Sequence, residues 1–290
     1  MNDPSAAACD LPSYPSGGPP VAMAYTQLFE ESGVVLACGQ HAAKDNKNCY
    51  VFDGSDWRPL ENGNLVGDHY PYVYGTYNFV MDELGWWVGG TKSINNNWNS
   101  EIYTANGEWV AMPLDSPYPG DYGFFPAKMC SVALNSTHIM MTGGIMDYTH
   151  ETYTDTWLLD LKNLMWSKST PMLGNGRQSH ACNLNSAGEL VIVGGWESNN
   201  IALDSVQILN LESGEWREAG TVPEGVDTNY PLMLTWQDKL IMLSRDSSDI
   251  WIMADDGSSW TPAAASLPGT FFGGYDVAAM VSDEFKNACK

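Results

Sequence analysis

A few side chains in this sequence of 290 residues could together perform acid–base chemistry on a small molecule. They are Arg177, His180, Arg245, Asp227 and Asp276. A histidine and a carboxylate could move protons to and from a substrate, and an arginine could anchor an anion. The sequence contains neither a Gly-x-Ser-x-Gly nucleophile elbow nor a two-histidine zinc helix. We therefore predict no cofactor and no metal site.

A larger group of aromatic and basic side chains falls in predicted loops and could form a binding face. Aromatic rings beside amides and a few cations suit a small ligand, a sugar or a peptide, and tyrosine and tryptophan are enriched at interfaces. The alternative is that each ring only fills space between loops. The candidate binding residues are Tyr70, Tyr72, Trp98, Tyr122, Phe124, Arg177, His180, Trp196, Tyr230, Arg245, Phe272 and Tyr275.

Composition excludes several classes of partner. The formal net charge is -22, which argues against nucleic acid and anionic membranes, since both need a basic face. No run of 18 apolar residues is present, so no membrane span is predicted. Apolar residues make up 44% of the chain and allow a large core. Alternating apolar runs between Gly, Asn, Pro and Ser clusters indicate β-strands.

These strands belong to a repeat of about 50 residues. Its clearest mark is a glycine pair or its remnant, whose second position falls at residues 39, 90, 144 and 195. A fifth copy at Leu243–Arg245 has lost both glycines. A short apolar strand and then a tryptophan follow each mark: Trp57, Trp109, Trp166, Trp216 and Trp260. Each unit therefore reads as four strands, A to D, and the D–A and B–C loops share one face.

This pattern resembles the Kelch repeat, and the fourth unit matches best. There Arg177 and His180 lead strand A, Gly194-Gly195 ends strand B and Trp216 opens strand D. The resemblance implies one all-β domain, 1–290, folded as a Kelch β-propeller. Strand-like segments at both chain ends predict six blades, and five blades is the alternative. The expected blades are residues 20–60, 70–115, 126–172, 177–222, 228–268, and 275–290 completed by an N-terminal strand at 4–15.

Six cysteines and no Cys-x-x-Cys spacing favour disulfides over a zinc site. Cys9 and Cys289 occupy repeat positions equivalent to those of Cys49 and Cys38, so we predict Cys38–Cys49 and a ring-closing Cys9–Cys289 bond. Cys130 and Cys182 lie in strands A of adjacent units, either bonded or as two buried thiols. Disulfides and the sequon at Asn135 predict a secreted glycoprotein, with Asn135 opposite the binding face.

Three functions compete. The first is a secreted interaction module that binds a protein, peptide or glycan through its loop face, alone or within a larger extracellular assembly. The second is a small-molecule enzyme, such as a sugar mutarotase or epimerase, using Arg177, Arg245, His180 and an aspartate. Both activities occur among proteins that this chain resembles. The third is an intracellular adaptor, which the cysteine pattern disfavours.

Overall fold

A computed structural model describes residues 23–31, 34–41, 48–52, 57–64, 77–81, 85–92, 98–103, 109–111, 128–145, 151–163, 165–199, 201–236, 238–244 and 247–271. Every regular element within these ranges is a β-strand, so the expected all-β class is confirmed. No helix in this described part is able to cross a membrane.

The described strands form five antiparallel sheets of four strands, which we call blades 1 to 5, and one short hairpin. Blade 1 contains β1 (Met23–Glu31), β2 (Val34–His41), β3 (Asn48–Phe52) and β4 (Trp57–Asn64); blade 2 contains β5 (Tyr77–Met81), β6 (Gly85–Lys92), β7 (Trp98–Tyr103) and β8 (Trp109–Ala111). Blade 3 contains β9 (Cys130–Asn135), β10 (His138–Thr142), β11 (Thr156–Asp160) and β12 (Met165–Lys168). Blade 4 contains β13 (Ala181–Leu184) and β14 (Leu190–Val193), then the hairpin of β15 (Trp196–Glu197) and β16 (Ile201–Ala202), then β17 (Ser205–Asn210) and β18 (Glu215–Thr221). Blade 5 contains β19 (Leu232–Trp236), β20 (Lys239–Leu243), β21 (Ser247–Met253) and β22 (Trp260–Phe271).

The first strands of successive blades lie side by side. β1 contacts β5, β5 contacts β9, β9 contacts β13, and β13 contacts β19. This is how strands A of a β-propeller surround its axis. The proposed sixth blade, residues 275–290 with 4–15, lies outside the described residues. Its existence, the closure of the ring and the five-bladed alternative therefore remain predictions.

The tryptophan that marks each repeat opens strand D or stands one residue inside it. β4, β8 and β22 begin at the tryptophan, whereas β12 and β18 begin one residue earlier. Trp216 and Trp260 are only 9% and 8% exposed and pack in apolar clusters that link neighbouring blades. In these two blades the tryptophan ring fills the space between neighbouring blades.

Strand B of blade 4 shows why its sequence is apolar throughout. All four residues of β14 are buried, and successive side chains point to opposite faces of the sheet. Leu190 and Ile192 join a cluster with Val132 and Met140 of blade 3. Val191 and Val193 join a second cluster with Met233 and Met242 of blade 5. Because both faces are covered by neighbouring blades, the strand has no polar side.

Two adjacent blades are joined covalently. A disulfide links Cys130 of β9 to Cys182 of β13, with Cα atoms 5.9 Å apart and a sequence separation of 52. Of the two alternatives for this pair, the bonded one is correct. In blade 1, the strand register places Cys38 directly opposite Cys49. That register suits the predicted bond, which stays a prediction, and the predicted Cys9–Cys289 bond lies outside the described residues.

Candidate functional site

The D–A and B–C loops meet on one face, as the repeat predicts. Gln178 of the loop before β13 pairs with Trp196 at the start of β15. The Gln178 N–H donates to the Trp196 carbonyl at 2.8 Å, and the Trp196 N–H donates back at 2.9 Å. The loop that enters strand A and the loop that leaves strand B are therefore bonded to each other within blade 4.

The glycine pair ties each of these loops to the next blade. The Gly144 N–H donates to the Arg177 carbonyl at 2.8 Å, and 51 residues later the Gly195 N–H donates to the Thr228 carbonyl at 2.9 Å. Gly195 has φ +84°, and a Cβ there would lie 2.8 Å from His180 Cβ and closer still to the Gln178 carbonyl oxygen. Only glycine combines this backbone conformation with so close an approach.

A second backbone feature repeats on the same face. Lys128, Ser179 and Tyr230 have φ values of 55°, 53° and 53°, and each stands two residues before a strand A. A left-handed conformation costs a non-glycine residue roughly 1–3 kcal/mol and persists only where its surroundings hold it. Ser179 N–H donates to the Lys128 carbonyl of the preceding loop at 2.8 Å. The three positions, spaced 51 residues apart, are thus equivalent parts of one built surface.

Two predicted binding residues, Trp196 and Tyr230, lie together on this surface. Their ring centroids are 6.3 Å apart at 57°, and Lys128 Nζ lies 5.9 Å from the Tyr230 centroid. Both rings are partly buried. Trp196 Nε1 and the neighbouring Asn229 Oδ1 are buried without a hydrogen-bond partner in the structure. Both atoms lie beneath the surface, so the exposed parts of the two rings and Lys128 are what this junction presents to a ligand.

Arg177 lies beneath this surface instead of on it. The residue is 1% exposed, and its guanidinium donates to the Gly194 carbonyl at 3.1 Å and to Ser205 Oγ at 2.9 Å. Burial lowers the pKa of Arg177 to about 10, while nearby Glu218 opposes that shift. The side chain therefore remains charged at neutral pH and fastens the B–C loop of blade 4 to strand C.

His180 is buried as well, at 5% exposure. Its Nε2 lies 2.8 Å from Thr142 Oγ1 of blade 3, so the ring bridges two blades. Burial, reinforced by the charge of Arg177, lowers the pKa of His180 well below the ordinary 6.5. The ring is neutral at physiological pH. Neither His180 nor Arg177 presents its side chain to solvent, and both support the loops that carry the aromatic pair.

The other predicted binding residues are placed less fully. Trp98 begins β7, opposite Lys92 in the strand register. Seven fall outside the described residues and remain predictions: Tyr70, Tyr72, Tyr122, Phe124, Arg245, Phe272 and Tyr275. The sequence analysis did not include Lys128 among the binding residues. Its position was a usable signal, because Lys128, Ser179 and Tyr230 follow one another at intervals of 51 residues.

The sequon asparagine lies at the opposite end of blade 3. Asn135 is the last residue of β9, is exposed, and precedes the A–B turn. Its Oδ1 accepts hydrogen bonds from the Thr137 N–H at 2.9 Å and from Thr137 Oγ1 at 3.0 Å. The predicted modification site is accessible and distant in the fold from the D–A and B–C loops.

Comparison with known families identifies one repeat. Residues 179–223 match the model of the Kelch motif. The match runs from Ser179 through β13, β14, β17 and β18 to Pro223, which is blade 4 of the structure. The predicted resemblance to the Kelch repeat is confirmed. The match falls in the fourth unit, where the sequence pattern is most complete. Among curated proteins, none matches the chain.

Proposed function

We propose that this Kelch-repeat protein is a secreted, disulfide-bonded interaction module that binds a protein, peptide or glycan through its D–A and B–C loops. One observation carries the proposal. Trp196 and Tyr230 lie 6.3 Å apart where loops of blades 4 and 5 converge, and Lys128 reaches the same place from blade 3. Loops held by a rigid scaffold are where binding residues usually lie.

The chemistry of this junction suits a ligand with both apolar and polar groups. Aromatic faces pack against an aliphatic side chain or the C–H face of a sugar ring. Lys128 Nζ, 5.9 Å from the centre of the Tyr230 ring, adds a cation beside the aromatic pair. Arg177 and His180 hold the supporting loops in place from below, so the site is organised before a ligand arrives.

Two features support secretion. Stable disulfides such as Cys130–Cys182 are typical of oxidising compartments. A glycan on the exposed Asn135 would leave the loop face open, because the A–B turn lies at the other end of the blade. Peptide mapping of protein from its native source tests this. We expect a bonded Cys130–Cys182 pair and a modified Asn135, and finding both cysteines reduced would contradict secretion.

The enzyme alternative loses support from the structure. Its base, His180, and its anion anchor, Arg177, are buried and engaged with neighbouring blades and loops. Asp227 Oδ1 accepts a hydrogen bond from the Asn229 N–H at 2.8 Å. Arg245 and Asp276 lie outside the described residues. No observation on the described residues favours catalysis over binding.

The binding test compares the full chain with the variant Trp196→Ala/Tyr230→Ala on arrays of extracellular proteins, peptides and glycans. We expect the double variant to lose the ligands that the wild type retains, with affinity reduced about tenfold or more, because central aromatic residues dominate binding energy. Trp236→Ala is the matched control, since Trp236 is partly buried but ends β19 near the opposite face. Unchanged binding by the double variant, or an equal loss in the control, would contradict the proposal.

A further inference from the structure

The hairpin of β15 and β16 exposes apolar surface on the loop face. Ile201 is 52% exposed, and Leu173, in the loop between blades 3 and 4, is 37% exposed. Together with Met165, at 65%, they are the large exposed hydrophobic side chains of the described residues. We call Asn175, Glu197, Ile201 and Asp204 the hairpin patch.

Within this patch an acidic and an apolar side chain are neighbours. Glu197 pairs directly with Ile201 across the hairpin, so both side chains lie on the same face of the two-stranded ribbon, with Cβ atoms about 5 Å apart. Asn175 Nδ2 donates to Glu197 Oε2 at 2.6 Å and holds the carboxylate in place. Trp196 and Ala202, the other pair, occupy the opposite face of the ribbon.

The ribbon itself is firmly attached. The Leu203 N–H donates to the Gly195 carbonyl at 2.8 Å, and Ser198 Oγ lies 3.0 Å from Thr152 Oγ1 of blade 3. The hydrogen bonds between Gln178 and Trp196 fix its other edge. Ile201 is therefore exposed on an ordered element. Binding to it costs little conformational entropy of the backbone, because the hairpin is already held in place.

The surroundings of the patch are acidic. Glu197, Asp204, Glu224 and Asp227 lie in these loops, and among the described residues none of the four has an ion-pair partner. Of the basic residues on the same face, Lys168 is paired with Asp155 at 2.8 Å, Arg177 is buried, and Lys128 lies over Tyr230. The chain as a whole carries -22. Charge complementarity therefore favours a cationic occupant of the patch.

We infer that the hairpin patch docks a basic segment of a partner protein. A bulky apolar side chain of that segment packs on Ile201, and a flanking Lys or Arg pairs with Glu197 or Asp204. The inference rests on the proposed function, because it assigns a partner chemistry to part of the same loop face. It commits to a protein segment, since Ile201 and Glu197 are paired across the hairpin and neighbouring side chains of one peptide could contact both.

The test uses three fluorescein-labelled dodecapeptides of one design. The first contains two Lys–Leu–Lys triplets separated by Gly and Ser, the second replaces Lys with Glu, and the third replaces Leu with Ser. Fluorescence anisotropy with the full chain measures the Kd of each at low and physiological salt. We expect the Lys–Leu peptide to bind at least about tenfold tighter than the Glu–Leu and Lys–Ser peptides, because each comparison removes one half of the recognition.

Variants locate the binding. Ile201→Ser should weaken the Lys–Leu peptide about fivefold to tenfold, and Glu197→Gln about threefold at low salt with a smaller salt dependence. Met165→Ser and Glu212→Gln are the matched controls, an exposed apolar and an exposed acidic residue on blades 3 and 4 near the opposite face. Both should bind as the wild type does.

The outcomes separate this inference from the proposed function. Equal binding of all three peptides, no binding of the Lys–Leu peptide, or equal effects of Ile201→Ser and Met165→Ser would overturn the inference. If ligands found on the arrays depend on Trp196 and Tyr230 but not on Ile201, the proposed function stands and the inference fails. If the Lys–Leu peptide depends on Ile201 and Glu197 while the aromatic double variant changes nothing, the inference stands and the aromatic site fails.

Discussion

The junction between blades 3 and 4 and the junction between blades 4 and 5 share one backbone design but differ in their side chains. In both, the second glycine of a pair donates to the carbonyl of the next D–A loop, at 2.8 and 2.9 Å. At the first junction, Thr142 bonds to His180 at 2.8 Å. The equivalent positions of the second junction, 51 residues later, are Val193 and Pro231, an apolar pair.

The inner strands show the same contrast. Cys130 and Cys182 join strands A of blades 3 and 4 by a disulfide. The residue 51 positions after Cys182 is Met233, which is 4% exposed and packs in the apolar cluster between blades 4 and 5. The comparison teaches that the repeat requires the backbone contact, whereas a polar bridge, a covalent bond or apolar packing can each complete a junction.

Removing the disulfide should cause the largest difference in stability between the two junctions. Cys130→Ala/Cys182→Ala opens a loop of 52 residues, worth up to about 4 kcal/mol in the free energy of unfolding by the chain-entropy estimate. Denaturant unfolding measures the loss. Hydrogen exchange should then show β9 and β13 opening before β19, because the second junction has lost nothing. Equal exchange in all three strands would mean that the blades do not open separately.

Two glycine substitutions test how much the close backbone approach at the junction contributes to stability. Gly195→Ala and Gly225→Ala both place a side chain at φ +84°, but only Gly195 has atoms that the new Cβ would meet within 4 Å. We expect Gly225→Ala to cost about 1 kcal/mol of unfolding free energy from backbone strain alone, and Gly195→Ala about 3 kcal/mol. Thermal and denaturant unfolding compare the two. Equal losses would show that the close approach at Gly195 is relieved by small shifts.

Acid should weaken the first junction and leave the second unaffected. The pKa of folded His180 lies well below 6.5, so below about pH 6.5 the unfolded chain gains a proton that the folded chain does not. The free energy of unfolding then falls as the pH is lowered, by at most about 1.4 kcal/mol per pH unit. Well above pH 6.5, where the histidine is neutral in both states, the residue contributes no slope.

His180→Gln should flatten this part of the pH profile, as measured by denaturant unfolding at several pH values. His138→Gln, at the partly exposed start of β10, is the control. If both variants keep the wild-type slope, another group is responsible for the acid sensitivity.

Local sequence pattern predicted the strands of this protein well where the repeat is strong. The short apolar strand predicted after the third glycine mark is β11, and the tryptophans fall at or next to the start of strand D in all five blades. These features depend on neighbouring residues in sequence, through side-chain alternation and turn glycines. The extra hairpin of β15 and β16 was not predicted, because two strands of two residues leave no periodic signal.

The sequence by itself determined the repeat, the strand order within each blade and the shared face of the D–A and B–C loops, because these follow from alternation and from glycine spacing. Only the tertiary structure decided which side chains face a ligand. Arg177 and His180 look like surface residues in the sequence but are buried, since their loops fold under Gly194-Gly195 of one blade and against Thr142 of another. Burial depends on contacts between blades about 50 residues apart, and no local pattern records such contacts.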